Sequence, residues 1–235
     1  MPSWDLEETL SLVERLHGRA QVYLLRSCLK SLDDRQFYAG YHYHEYKRLL
    51  CESIDAQLGE KHIFELTFPR NEESLARIAT LEKKVGAHVV ACVQSLHSLV
   101  DMFAHAICYA WALNLGERPL EERNITLNSV MKGISHVPPL LSIYEVFGNI
   151  RAHREFSYLS ALVNHSKHRS IVEPVLSVSF LEDSGPPYTV KFSGFTYDGK
   201  AYDKRNVDEV IEPVYSWLSF QIAACGAPLN AALRR

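Results

Sequence analysis

The densest set of reactive side chains lies in LVNHSKHRSIV, residues 162 to 172, where His165, Lys167, His168 and Arg169 fall within five positions. An imidazole exchanges protons near neutral pH, and ammonium and guanidinium groups hold phosphate oxygens. The run could therefore work on a phosphodiester or grip a nucleic acid. The same residue types also suit a helix C-terminus, where cations complement free carbonyls and the negative end of the dipole. In that role Lys167 or Arg169 would pair with a buried carboxylate, and Asp101 is the one carboxylate between His88 and Leu115. The structural tie is the favoured reading.

His97, Asp101 and His105 are spaced i, i+4, i+8. Eight residues of straight helix span ~12 Å, so the two histidines cannot share one ion, and Asp101 with either is short of ligands. These three read as a structural polar tie, and no metal is expected. In YHYHEY, residues 41 to 46, His42 and His44 diverge on a helix. His42 with Glu45 is again too small a ligand set, so an aromatic-rich packing helix is expected. Arg151, His153, Arg154, Lys167, His168 and Arg169 make the one concentrated basic region, diluted by Glu155 and Glu173. A solvated face is the ordinary explanation. Arg151, His153, Lys167 and Arg169 are the candidates for contact with RNA or a protein partner, and phosphate contacts there would be salt-sensitive.

The elements that must position these groups are mostly helical. Leu6, Leu10, Val13 and Leu16, then Val22, Leu25 and Leu29, recur at helical spacing over residues 5 to 32, and a second helix is expected from about Asp34 to Gln57, before Gly59. Asn71 is a plausible N-cap for a long helix that Gly116 should end, with Glu72 and Glu73 at its positive pole and Gly86 a tolerated weak point. Val89, Cys92, Leu96, Val100, Phe103 and Ile107 keep to one face of it. After a looser stretch, Pro138 and Pro139 open a helical region from Leu140 to about Arg169. The period then changes to two, PVLSVSFLEDSGPPYTVKFSGFTYDGKAY reads as strand, turn, strand with a tight YDGK hairpin, and a last helix covers Val207 to Ala224. The expected architecture is mainly α: five or six bundled helices in a single domain over 1–235. A small antiparallel β-hairpin or sheet is inserted at about 172–203, before the C-terminal helix.

Composition narrows the classes. The chain of 235 residues is 47% hydrophobic and 23% charged, with net charge −3, which provides no global basic field for nucleic acid. The N-terminus lacks the pattern of a signal peptide. The apolar run from His88 to Leu115 is broken by His97, Asp101 and His105, which fits a buried helix better than a membrane span. Cys28, Cys51, Cys92, Cys108 and Cys225 form no C-x-x-C pair and read as reduced thiols of a cytoplasmic protein. No Walker loop, G-x-G-x-x-G after a strand, G-x-S-x-G or H-E-x-x-H is present, and no cofactor is expected.

Two segments resemble a known group. SLHSLVDMFAHAI and LSALVNHSKHRSIVEPVLSVSF are similar to the central helix and the later KHR-ended helix of bacterial proteins related to the HEPN superfamily, over roughly Leu75 to Phe180. The resemblance implies a helical bundle that dimerises. It also implies a place among metal-independent ribonucleases of prokaryotic defence and toxin–antitoxin systems. The superfamily motif is an arginine, a polar residue, three more and a histidine; Asn164 and His168 match, but Val163 stands at the arginine. A valine can neither hold the scissile phosphate nor offset its charge, so the motif is half present.

Phe156, Leu159 and Val163 share one apolar stripe, with Arg154, Ser157, Ala161, Asn164 and His168 opposite. Arg154 lies fourteen residues, about 21 Å, from His168 along one helix, so the two could meet only across a two-fold, antiparallel partner. The expected function is non-catalytic binding of RNA or protein. The alternatives are an active endoribonuclease using His168, Asn164 and Arg154, and a small-molecule sensor or purely structural interaction protein.

Overall fold

Asp5 begins the first helix: its side chain accepts the Glu8 N–H at 3.0 Å, with Glu7 and Glu8 in the first turn. The computed structural model describes residues 2–52, 68–69, 71–178 and 188–234. Helix α1 runs Leu6–His17 and ends at Gly18, whose φ of +83° is the left-handed conformation that favours glycine. Helix α2 then runs unbroken over Arg19–Leu50. The break expected near residue 33 is absent, and Lys30 pairs with Asp34 across it at 2.7 Å. A pair of aspartates does not interrupt a helix, whereas a positive φ does. The expected end at Gln57 lies outside the described residues.

Helix α3, Glu72–Ala110, starts as predicted, with the Asn71 Oδ1 accepting the Ser74 N–H at 2.8 Å. It stops six residues before Gly116. Ala112 turns left-handed at φ +53°, the Leu113 N–H reaches back to the Cys108 carbonyl, and the Tyr109 carbonyl accepts from the Ala112 N–H at 3.3 Å and from Gln21 at 2.8 Å. By length and hydropathy α3 could cross a membrane, and 56% of its most apolar window is buried.

Helix α4, Leu127–Ile134, occupies the stretch read as loose, held by a reciprocal Thr126–Ser129 capping box. A 3-10 turn at Pro138–Leu140 leads into α5, Leu141–Ala152, and α6, Arg154–His168. The single helix predicted from Leu140 to Arg169 is thus split at His153. That residue is extended (ψ 124°), and its Nδ1 accepts the Phe156 N–H at 3.3 Å, so the side chain caps α6.

The change of period is a real sheet. β1 (Pro174–Val178), β2 (Tyr188–Phe192) and β5 (Arg205–Asn206) pair antiparallel in the order β1-β2-β5, with Leu176 opposite Val190. β3 (Phe195–Tyr197) and β4 (Lys200–Tyr202) form the predicted YDGK hairpin. Asp198 and Gly199 both have positive φ, as a two-residue primed turn requires. Helix α7 spans Val207–Ala224 as expected, and α8, Gly226–Leu233, follows it unpredicted. Its proline falls in the first turn, where no helical N–H is lost.

The chain folds as two compact units, one built from 1–37, 96–157 and 214–235, the other from 38–95 and 158–213. In the first, the Phe103 ring meets Trp4 and Phe147 edge-on at 6.2 and 5.0 Å. Buried Asn230 on α8 ties back to α1, accepting from the Thr9 hydroxyl at 2.6 Å and donating to the Asp5 carbonyl at 3.0 Å. In the second, Phe195 and Tyr202 of the hairpin stack at 4.8 Å, and Tyr158 of α6 meets both edge-on. The fold is mainly helical with a small antiparallel sheet before the C-terminal helices.

Candidate nucleic-acid interface

Helix α6 positions the NHSKHR run. Phe156, Leu159 and Val163 are buried as the stripe predicts, Val163 to 1% exposure. On the other side Arg154, Ser157 and His168 are exposed and Asn164 is half-buried, but Ala161 is buried as well. The methyl of Ala161 is small enough to be covered, so the polar face is narrower than the sequence implies. Lys167, His168 and Arg169 project from the helix end.

The end is closed by a residue outside the motif. The ring of His165 bonds through Nδ1 to the Ser170 carbonyl at 2.9 Å and lies edge-on to Phe195 at 5.5 Å. Arg169 donates to the Thr196 carbonyl at 3.2 Å, which fixes its guanidinium against the hairpin. Asn164 reaches only Ser160, at 3.5 Å. Lys167 and His168 are the groups at this end left to face solvent, beside the forearm of Arg169. Tyr158, deeper in the same unit, is pushed up to about 12 by burial and by Asp203, with Arg205, 5.3 Å from its ring, opposing. It is a hydrogen-bond donor and not a base.

The other predicted residues separate. Arg154 opens α6 and His168 closes it, at opposite ends of fifteen residues. His153 stacks on Trp217 with centroids 4.0 Å apart and lies 4.0 Å from Glu155. Its Nδ1 also caps α6, which gives it a structural role at the start of that helix. Arg151 is exposed on α5 in the first unit. On α3, His105 bonds through Nδ1 to the Asp101 backbone carbonyl at 2.9 Å and not to its carboxylate, and His97 lies parallel to Phe156 at 6.2 Å. No group of three metal-ligating side chains occurs among the described residues.

Two clusters in YHYHEYK have partners that the sequence does not point to. His42 faces His88 of α3 with Nδ1 atoms 3.0 Å apart, and burial followed by His88 lowers the His42 pKa, Glu45 opposing. Tyr43, Tyr46 and Lys47 all donate to Asp208 at the start of α7, Lys47 at 2.9 Å, and Tyr43 also donates to Glu212. Burial and these carboxylates hold both phenols well above their usual range. Sequence spacing does not suggest this pairing, since 165 residues separate Tyr43 from Asp208. Four thiols are held protonated: burial raises Cys92, Cys108 and Cys225 to about 12, and Cys28 to about 11 with help from Glu122. No disulfide joins Cys28, Cys51, Cys92, Cys108 or Cys225 among the described residues.

No family model, curated protein or solved structure matches the chain. The class defined by the fold is a mainly helical protein with a small antiparallel sheet.

Proposed function

We propose that the protein is a HEPN-like, dimeric RNA-binding component of a prokaryotic defence or toxin–antitoxin-type system, with a degenerate ribonuclease motif. The family and setting rest on the resemblance of the two quoted segments. The binding role rests on one observation: Val163, at the motif's arginine position, is sealed in the core while Lys167, His168 and Arg169 stand exposed at the helix end. A buried valine removes the charge that would steady a pentacoordinate phosphate, yet the cations that hold a ground-state phosphate remain. Arg169 is pre-positioned by Thr196, which lowers the ordering cost of such a contact.

The experiment is RNA binding by fluorescence anisotropy across salt concentrations, with cleavage of the same RNAs followed in EDTA. The proposal expects binding that weakens with salt, a slope reduced in Lys167→Ala/Arg169→Ala by about 0.7 per lost phosphate contact on a single strand, and no cleavage. Cleavage that survives EDTA and vanishes in His168→Ala would replace it with an active metal-independent endoribonuclease, the reading favoured by the exposure of His168. Absence of RNA binding would leave a protein-binding role.

A further inference from the structure

Helices α4 and α5, both in the first unit, enclose a groove of about 370 Å³ lined by Asn128, Met131, Lys132, Ser135, Tyr144 and Arg151. The lining is periodic. Asn128, Met131, Lys132 and Ser135 are i, i+3, i+4 and i+7 along α4 and its end, and Tyr144 and Arg151 are i and i+7 on α5, so each helix turns one face to the groove. Met131, 9% exposed, adds an apolar side chain to the lining, and Tyr144 is exposed.

Each helix contributes one cation. Among the described residues neither Lys132 nor Arg151 takes a side-chain hydrogen bond or ion pair, and no carboxylate lines the groove. This contrasts with the cleft at Glu121, Glu122 and Arg123, where Arg123 is neutralised by Glu121 at 2.8 Å. Two uncompensated cations lining one groove attract an anion, and a phenol beside a thioether suits a flat, weakly polar ring. The Asn128 amide offers both a donor and an acceptor to a ring edge. The volume falls in the range of small-ligand pockets, about 300–1,000 Å³.

We propose that this groove binds a nucleoside monophosphate moiety, with Lys132 and Arg151 on the phosphate, Tyr144 and Met131 against the base, and Asn128 on the base edge. The moiety is either a free nucleotide or one nucleotide of a single strand. The site shares no residue with the Lys167–Arg169 end of α6 and stands whether or not that end binds RNA.

The test is calorimetric titration of the full chain with AMP, GMP, CMP and UMP, with adenosine and inorganic phosphate beside them, and anisotropy with a labelled 5′-phosphorylated RNA decamer. At least one monophosphate is expected to bind at least tenfold more tightly than adenosine or phosphate alone. Lys132→Ala and Arg151→Ala, both at exposed positions, should each weaken it about tenfold or more, as loss of one charge-assisted hydrogen bond predicts. Tyr144→Ala should weaken it severalfold and Tyr144→Phe little. Comparable affinity for monophosphate and decamer assigns a free nucleotide, and a decamer bound a hundredfold tighter, with that gain lost in both Lys132→Ala and Arg151→Ala, assigns a strand. Phosphate alone binding as tightly as every nucleotide would overturn the proposal. So would no binding by any of these ligands to a chain whose wild-type fold is confirmed by circular dichroism, or binding indifferent to Lys132 and Arg151.

Discussion

Restoring the motif arginine by Val163→Arg should unfold the protein instead of activating it. Val163 is 1% exposed. Truncation to alanine removes two methyl groups at about 0.8 kcal/mol each, and the cavity left behind brings the loss to about 2–3 kcal/mol. Val163→Arg forfeits about 1.5–3 kcal/mol of side-chain burial and adds several kcal/mol for an unpaired guanidinium in the core. The sum is about 5 kcal/mol or more, comparable to the whole stability of many domains, about 5–15 kcal/mol. Thermal melts by circular dichroism should show Val163→Ala folded, with Tm lowered by about 5–10 °C, and Val163→Arg without a cooperative transition. RNA cleavage in EDTA should be absent from both. A Val163→Arg protein that melts within a few degrees of wild type would refute the burial argument. If it also cleaves RNA in a His168-dependent way, the residue faces the substrate and the motif is one substitution from activity.

Three further outcomes follow from named contacts. His42 has its pKa lowered by burial and by His88, so the unfolded chain binds more protons as pH falls below the unfolded value of 6.5. Stability is therefore full above that pH and is lost as pH falls toward the folded value; wild-type Tm should drop between pH 7 and 5, and His42→Gln should drop less. Asp208→Asn removes the charge that three donors share and should cost about 1–3 kcal/mol, read by urea denaturation. Ultraviolet pH titration should also show Tyr43 and Tyr46 ionising at lower pH in Asp208→Asn than in wild type. Gly226→Ala would place a Cβ within 2.6 Å of the Trp4 Cα, so it should cost about 1–3 kcal/mol or more and shift the tryptophan emission.

Local chemistry was legible from the sequence wherever a short stretch carries its own reason. Asn71 caps α3, Asp198 and Gly199 demand a primed turn, the period changes at Pro174, and Val207–Ala224 is one amphipathic helix. The stripe that buries Val163 was equally readable, because helical spacing alone assigns it a face. Helix boundaries at Gly18 and His153 were not, since a left-handed glycine or a capping histidine is decided by what the following turn packs against. Helix α4 was missed because eight residues carry too little periodicity without the Thr126–Ser129 box and the α5 face beside it. The sites divide in the same way. The sequence could gather NHSKHR, whose members are neighbours in the chain, but it could not assign Arg169 to the Thr196 carbonyl or His165 to the helix end. Nor could it bring Asp208 to Tyr43 and Tyr46, His88 to His42, or Lys132 and Arg151 to one groove. Spacing along the chain determines which face of an element a residue occupies. Which other face it meets depends on packing among helices far apart in sequence, and that is settled only by the tertiary structure.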